Sequence, residues 1–180
     1  MLRLVLVGSL CALSAACAST GAVPQPFPSP RGSGPVGRPP AAAPDAPGAA
    51  AAPLSPAQLV GHRIANTALE FRGVPYRNGG ADPTGFDCSG LVAFVFRHYG
   101  RPVPRHTSAQ FEVGTPVAPG RLRAGDLVFF STVAPGASHV GIALDDDEFV
   151  HAPSSKGVVR VERLTADYWR RRFVGARRVN

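Results

Sequence analysis

The residues best suited to chemistry in this 180-residue chain are one cysteine and two histidines. Cys88 follows a glycine-rich stretch and precedes an apolar run of helical character, so it is predicted to occupy the first turn of a helix. There, unpaired N–H groups and the helix dipole favour the thiolate and lower the pKa of the thiol. A small buried hydrophobic residue is the alternative role of a single cysteine. The position at a helix start favours a nucleophile.

A thiolate nucleophile needs a neighbouring base and a third group that orients the base. His139 begins one arm of a predicted β-hairpin and His151 ends the other, with the acidic turn 145–147 between them. The two side chains should therefore meet at the open end of the hairpin. There His139 can accept the thiol proton while His151 holds the other ring nitrogen of His139. A zinc site with Cys88 or an acid as third ligand is the rival, and spacing alone leaves it open.

The remaining histidines have simpler explanations. His62 lies in the first predicted helix and His98 near the end of the second, where surface or packing roles are sufficient. His106 lies in a predicted loop and could line a cleft. We therefore place the reactive pair at His139 and His151.

The elements that must position these groups form one α+β domain over residues 54–180. A helix is predicted to start with Ser55 as its cap and to end at Gly73, and a second, buried helix follows Cys88. Strands are predicted over 126–130, 139–144, 148–151, 158–164 and 173–179, with a short helix capped by 165–167 before the last strand. Helices first and strands afterwards indicate an antiparallel sheet.

The first part of the chain is predicted to contain a targeting segment and a spacer. Residues 1–16 combine one arginine, an apolar run and small residues, as in a secretory signal peptide, and are too short to span a bilayer. Cys17 ends a string that resembles a bacterial lipobox, so we expect it to carry a lipid that anchors the protein to a membrane. Residues 17–53, rich in Pro, Ala and Gly, are predicted to form a disordered linker.

The predicted targeting segment is compatible with two cellular locations. By resemblance to Gram-negative lipoproteins, Ala18 after the cysteine favours the periplasmic face of the outer membrane. Cleavage without lipidation, which would give a secreted or periplasmic protein, is the alternative.

The composition narrows the possible partners. The formal net charge is +7, and Arg supplies nearly all of the positive charge, including a run at 170–172. Export and the lack of a nucleic-acid-binding motif argue against a nucleic-acid partner, so we interpret this run as a solvated face. The chain has 3 cysteines, too few in the folded part for a disulfide-stabilised fold or a zinc ribbon. We expect a monomer with no metal and no cofactor.

Several sequence blocks through the domain carry a specific resemblance. They are Gly73-Val74-Pro75-Tyr76-x-x-Gly79-Gly80, Phe86-Asp87-Cys88-Ser89-Gly90-Leu91, Pro104-Arg105-x-Thr107-x-x-Gln110, Gly125-Asp126-Leu127-Val128-Phe129-Phe130, Ser138-His139-Val140-Gly141-Ile142 and Val150-His151-Ala152. In this order they resemble the signature of the NlpC (NlpC/P60) family of cell-wall cysteine peptidases. The resemblance covers the domain from about Ile64 to Val179.

The resemblance implies a papain-like α+β fold, with N-terminal helices packed on a central antiparallel sheet. It also implies hydrolysis of amide bonds in the peptide stems of peptidoglycan through an acyl-enzyme. Cys88 would be the nucleophile, His139 the general base and later acid, and His151 the polar third member. The backbone N–H of Cys88 would be the main donor to the oxyanion.

The resemblance assigns further residues to the substrate. Tyr76 would donate to the oxyanion or contact the substrate, and Asp87 and Ser89 would bind amine or carboxylate groups of the stem. Arg105 either contacts a substrate carboxylate or braces its loop.

Two other functions stay open. One is an amidase or acyltransferase of the same fold acting on another envelope substrate, and the other is a non-catalytic wall-binding lipoprotein. Which bond is cleaved also stays undecided, because relatives cut either the D-alanyl–diaminopimelate cross-link or the D-glutamyl–diaminopimelate bond.

Overall fold

The structure of the protein is a computed structural model that describes residues 53–179. The signal-peptide, lipidation and linker predictions for residues 1–53 therefore lie outside the described residues, apart from Pro53. Within the described range, no helix has both the length and the hydropathy of a membrane span.

Residues 53–179 form four α-helices and eight strands. The helices are α1 (Pro56–Glu70), α2 (Cys88–His98), α3 (Thr107–Phe111) and α4 (Asp167–Arg170). The strands are β1 (Ala81–Asp82), β2 (Gly85–Phe86), β3 (Thr115–Val117), β4 (Leu127–Phe130), β5 (His139–Ala143), β6 (Glu148–His151), β7 (Arg160–Arg163) and β8 (Phe173–Arg178). A single 3₁₀ turn covers Ser154–Lys156.

Six of the strands form one antiparallel sheet in the order β3-β8-β4-β5-β6-β7, and β1 pairs separately with β2. Both faces of the sheet are covered, because alternate residues of β4 enter two different apolar clusters. Leu127 and Phe129 pack with α1 and α2, whereas Val128 and Phe130 pack with Trp169 of α4. The predicted α+β fold, with helices preceding an antiparallel sheet, is confirmed.

The first helix begins as the sequence predicts. Ser55 caps α1 through a reciprocal pair of hydrogen bonds with Gln58, and proline occupies the first turn. The helix ends at Glu70 with Phe71 as its C-cap, earlier than the predicted end at Gly73. Its buried side is formed by Ile64 and two alanines, which pack against α2.

The second helix starts at the nucleophile candidate because Asp87 caps it. The Asp87 carboxylate accepts a hydrogen bond from the backbone N–H of Gly90 at 2.7 Å. A Cβ on Gly90 would lie 2.0 Å from the carbonyl oxygen of Gly80, so only glycine permits this contact. Gly90 therefore packs closely against the glycine-rich turn.

The structure departs from the sequence-based elements mainly in short segments, and the two-residue strands β1 and β2 are among those not predicted. The short helix α3 and the edge strand β3 were not predicted, since each has five residues or fewer and little periodicity. The N-cap of α4 lies within the predicted cap at 165–167, but it is Ala166, which makes no side-chain cap bond. Thr165 donates instead to the carboxylate of Asp147 in the β5–β6 turn.

Candidate active site

The thiol of Cys88 lies at the first residue of α2, partly buried among hydrogen-bonding groups. Its sulfur is 3.6 Å from the hydroxyl oxygen of Thr107, the first residue of α3. The backbone N–H groups of Ser89 and Val140 also point at the sulfur as donors. The peptide bond that joins His139 to Val140 is therefore next to the thiol, as the hairpin geometry predicts.

The predicted lowering of the thiol pKa is wrong. Burial raises the pKa of Cys88 above its ordinary value, and the nearby negative charge of Asp87 adds to this effect. Hydrogen bonds from Thr107, Val140 and Ser89 act in the opposite direction but do not compensate. The sequence places the residue at a helix start correctly, but it does not reveal how deeply the sulfur is withdrawn from water.

The two imidazoles meet as the hairpin predicts. Nε2 of His139 is 2.7 Å from Nδ1 of His151, and both side chains are buried. This contact occupies one ring nitrogen of His139 and leaves Nδ1 as the nitrogen available to a reacting group.

Burial keeps both imidazoles neutral. It lowers the pKa of His139 to about 4, and it lowers the pKa of His151 to about 2 together with the charges of His139 and Arg160. For His139 to accept a proton at Nδ1, its Nε2 must carry the hydrogen and donate to His151. The proton of His151 then resides on Nε2, a buried atom with no hydrogen-bond partner among residues 53–179. Burial keeps both rings neutral, and the 2.7 Å contact between them holds this tautomer in place.

An indole ring that the sequence did not assign to the site encloses the pair. The rings of Trp169 and His139 are stacked, with centroids 5.6 Å apart and an interplanar angle of 24°. Trp169 also meets the His151 ring edge-on at 4.9 Å. The sequence predicted Trp169 on a short helix, but its contact with residues 30 and 18 positions earlier depends on the sheet order.

Asp87, Ser89 and Arg105 form a connected polar group beside the thiol. The Arg105 guanidinium contacts both carboxylate oxygens of Asp87, at 2.9 and 2.6 Å. It also donates to the Ser89 hydroxyl at 2.9 Å and to the Gly80 carbonyl at 3.3 Å. Such bidentate pairs are among the stronger polar contacts in proteins.

These contacts use both terminal nitrogens of Arg105. Among these contacts none involves Nε, so Nε is the nitrogen of Arg105 that a substrate carboxylate could reach. Such a carboxylate would meet a guanidinium that is already bound to Asp87. This geometry favours the interpretation that Arg105 braces its loop. The fully buried Gln110 strengthens the same loop, because its amide nitrogen donates to the carbonyls of Ser89 and Pro104.

Tyr76 lies at the edge of the site and is partly buried. Burial raises the pKa of its phenol, and the charges of Cys88 and Asp87 raise it further. The hydroxyl therefore stays protonated and able to donate a hydrogen bond near the thiol.

The other histidines lie elsewhere. His62, His98 and His106 are exposed, and His106 is the N-cap of α3 rather than part of an irregular loop. Within residues 53–179, no three His, Cys, Asp or Glu side chains are grouped in a way that could hold a metal ion.

Comparison with known proteins identifies the domain. The family model described as "NlpC/P60 family" matches residues 73–178, which include the thiol, both imidazoles and the Asp87–Arg105 pair. The chain belongs to the NlpC/P60 family. The resemblance seen in the sequence blocks is thereby confirmed for this NlpC/P60 domain.

Individual relatives agree with this assignment. The chain is 42% identical over 118 residues to the Escherichia coli protein named murein DD-endopeptidase MepS/murein LD-carboxypeptidase, a match that covers 65% of this chain and 62% of that protein. It is also 42% identical over 118 residues to the γ-DL-glutamyl hydrolase of Bacillus subtilis, covering 64% of this chain and 28% of the relative. The matched part therefore spans less than two thirds of these relatives.

A solved structure shows the same architecture. The peptidoglycan hydrolase RipB of Mycobacterium tuberculosis superimposes with a TM-score of 0.60 at 28% identity, covering 71% of this chain and 68% of that one. The two chains thus share the architecture described above.

The lowered pKa of His139 predicts that activity is lost only at an unusually low pH. Below the ordinary imidazole value of 6.5, His139 stays neutral until the pH approaches about 4, so it can still accept a proton. We expect kcat/KM on a peptide substrate to fall with decreasing pH near 4 rather than near 6.5. A pH profile between those limits tests this, and an acid limb centred at 6.5 would contradict it.

The same shift links pH to stability. Because the unfolded chain binds protons below 6.5 while the folded histidines stay neutral, stability is full above 6.5 and falls as the pH drops toward 4. Each such histidine contributes a slope of up to about 1.4 kcal/mol per pH unit in this range. Urea unfolding in the same buffers serves as the control that separates protonation of the base from loss of the fold.

Proposed function

We propose that this protein is a peptidoglycan hydrolase that cleaves amide bonds in the peptide stems or cross-links of the cell wall through a thiol mechanism. The observation that carries the proposal is the thiol at the start of α2, next to two neutral, hydrogen-bonded imidazoles. The names of the Escherichia coli and Mycobacterium tuberculosis relatives support the substrate class.

The acylation step starts from a neutral thiol and a neutral base. Nδ1 of His139 accepts the proton of Cys88 as the sulfur attacks the substrate carbonyl carbon. A C–S bond forms, and the carbonyl π electrons move onto oxygen. The backbone N–H of Cys88, which has no acceptor within α2, and the phenol of Tyr76 are placed to donate to this oxyanion.

The intermediate then breaks down. His139 returns its proton to the amide nitrogen, the C–N bond breaks, and the amine leaves an acyl group on Cys88. Water attacks this thioester with His139 as base, the acid is released, and the sulfur regains its proton. His151 keeps the ring of His139 in the required tautomer throughout, through the 2.7 Å contact.

Asp87 and Ser89 are proposed to bind the acyl side of the substrate. The Ser89 hydroxyl retains acceptor capacity for an amine of the stem. The Asp87 carboxylate already accepts hydrogen bonds from Gly79, Ser89, Gly90 and Arg105, so it would act on that amine through its charge. We assign Arg105 the role of fixing Asp87, with a direct contact to substrate limited to its Nε.

A muropeptide digest tests the proposal. Purified, reduced protein incubated with sacculi or defined muropeptides should give shortened stems or split cross-links by mass spectrometry, and the Cys88→Ala variant should give none. The products also separate a D-alanyl–diaminopimelate from a D-glutamyl–diaminopimelate cut. Binding without cleavage would support the wall-binding lipoprotein. Cleavage of other envelope amides alone would support the amidase or acyltransferase.

We infer that the protein works in the cell envelope as a monomer attached by a lipid on Cys17. The sequence around Cys17 supports the anchor, and the site is built from residues of a single chain. The Cys17→Ala variant is expected to move from the membrane to the soluble fraction when expressed in a Gram-negative host. Retention of the variant in membranes would contradict the anchor, with Cys11→Ala as the matched control.

A further inference from the structure

A pocket of about 100 Å³ opens beside His139. Its walls come from the loop after β4, the segment after β6 and the helix α4. The residues that matter here are Thr132, Ser154, Ser155, Tyr168 and Trp169, together with His139 itself. Tyr76, Asp87, Ser89 and Arg105 do not line it.

The chemistry of the proposed reaction assigns this pocket to one side of the substrate. The group that returns a proton to the leaving nitrogen must lie within hydrogen-bond reach of that nitrogen. That group is His139, and its Nε2 is already occupied by His151. The leaving amine must therefore bind next to the pocket, while the acyl group stays with Cys88.

A leaving amino acid brings a carboxylate into the same space. In an α-amino acid, the carboxylate and the leaving nitrogen are bonded to the same carbon, so an unblocked carboxylate also lies close to His139. The pocket presents hydroxyl groups from Thr132, Ser154 and Ser155, and in the described part of the chain its lining holds no Asp or Glu. This lining suits an anion.

A positive charge lies over the ring of Tyr168, one of the residues that line the pocket. The Arg172 guanidinium lies 3.9 Å from the centroid of the Tyr168 ring and donates to the Tyr168 carbonyl at 3.1 Å. Arg170 is paired with Asp167, but Arg172 forms no ion pair with any carboxylate of residues 53–179. Its charge is therefore available to a ligand.

We propose that this pocket binds the leaving side of the substrate and that Arg172, held on Tyr168, selects leaving residues with a free α-carboxylate. Such residues occur at the carboxyl end of a stem and at the cross-linking centre of a diamino acid. The inference rests on the proposed peptidoglycan hydrolysis and adds the specificity of the leaving side.

The test uses a pair of synthetic muropeptides that differ only in the leaving residue, which carries a free α-carboxylate in one and a primary carboxamide in the other. We expect the wild-type chain to show a higher kcat/KM on the acid. Arg172→Gln should lower kcat/KM on the acid about tenfold and leave the amide within about twofold. Arg172→Lys, which keeps the charge, should recover part of the loss.

Arg171→Gln is the matched control, because it removes the same charge from the exposed neighbouring residue. Equal losses on both substrates for Arg172→Gln would mean a structural role and would overturn the inference, as would no loss on either. A wild-type chain that cleaves neither muropeptide nor sacculi would instead refute the proposed function itself.

Discussion

Replacing Cys88 by alanine is expected to abolish hydrolysis while leaving the fold intact. The change removes only the sulfur from the first turn of α2, and alanine is a favourable helix residue. Without the nucleophile no acyl-enzyme forms, so kcat should fall on the order of 10,000-fold or more. The melting temperature should change little, because the sulfur is only partly buried and makes one side-chain contact, with Thr107.

The Cys88→Ser variant sharpens this prediction. A hydroxyl preserves the contact with Thr107, but it is far harder to deprotonate than a thiol, and His139 with a pKa of about 4 is a weak base. We therefore expect serine to be as inactive as alanine in a muropeptide release assay. Ser108→Ala on α3 is the control for nearby surface changes. Retention of a tenth of the activity by Cys88→Ala would exclude the sulfur as nucleophile, and the same retention by Cys88→Ser would contradict the weak base assigned to His139.

Truncating Trp169 to alanine is expected to impair both stability and the base. The indole is 7% exposed and packs on Phe130, Phe149 and both histidines of the site. Loss of a buried tryptophan costs about 3–5 kcal/mol. Water would also reach His139, so its pKa should rise from about 4 toward 6.5, and the acid limb of kcat/KM should move with it.

Trp169→Phe is the second variant, since a phenyl ring can keep part of the stacking and is less damaging to the fold. We expect it to lose less stability in urea unfolding and to show a smaller shift of the acid limb. Arg171→Gln, at the exposed C-cap of the same helix, is the control. A folded Trp169→Ala variant whose acid limb stays near 4 would contradict the role given to the indole.

The sequence predicted those features that depend on local pattern. Ser55 and proline mark the start of α1, and the spacing of His139 and His151 around an acidic turn brings the imidazoles together. The position of Cys88 at a helix start also follows from the glycine-rich turn before it.

The features that the sequence did not predict arise from contacts between distant segments. Arg105 reaches Asp87 across 18 residues, and Trp169 reaches His139 only because β8 and β5 flank β4 in the sheet. The direction of the thiol pKa shift depends on burial, which no local pattern encodes. The short helix α3 depends on the buried Gln110, whose amide nitrogen donates to the carbonyls of Ser89 and Pro104. Both carbonyls lie outside the helix.

The neutral imidazole pair affects how easily the thiol of Cys88 is oxidised. A carboxylate as third member would stabilise an imidazolium and hence a standing thiolate, the form that oxidants and alkylating agents attack. His151 offers no such charge, so the sulfur of Cys88 rests as a thiol with a raised pKa. In the oxidising compartment proposed above, a cysteine in this protonated state is less prone to conversion to sulfenic acid.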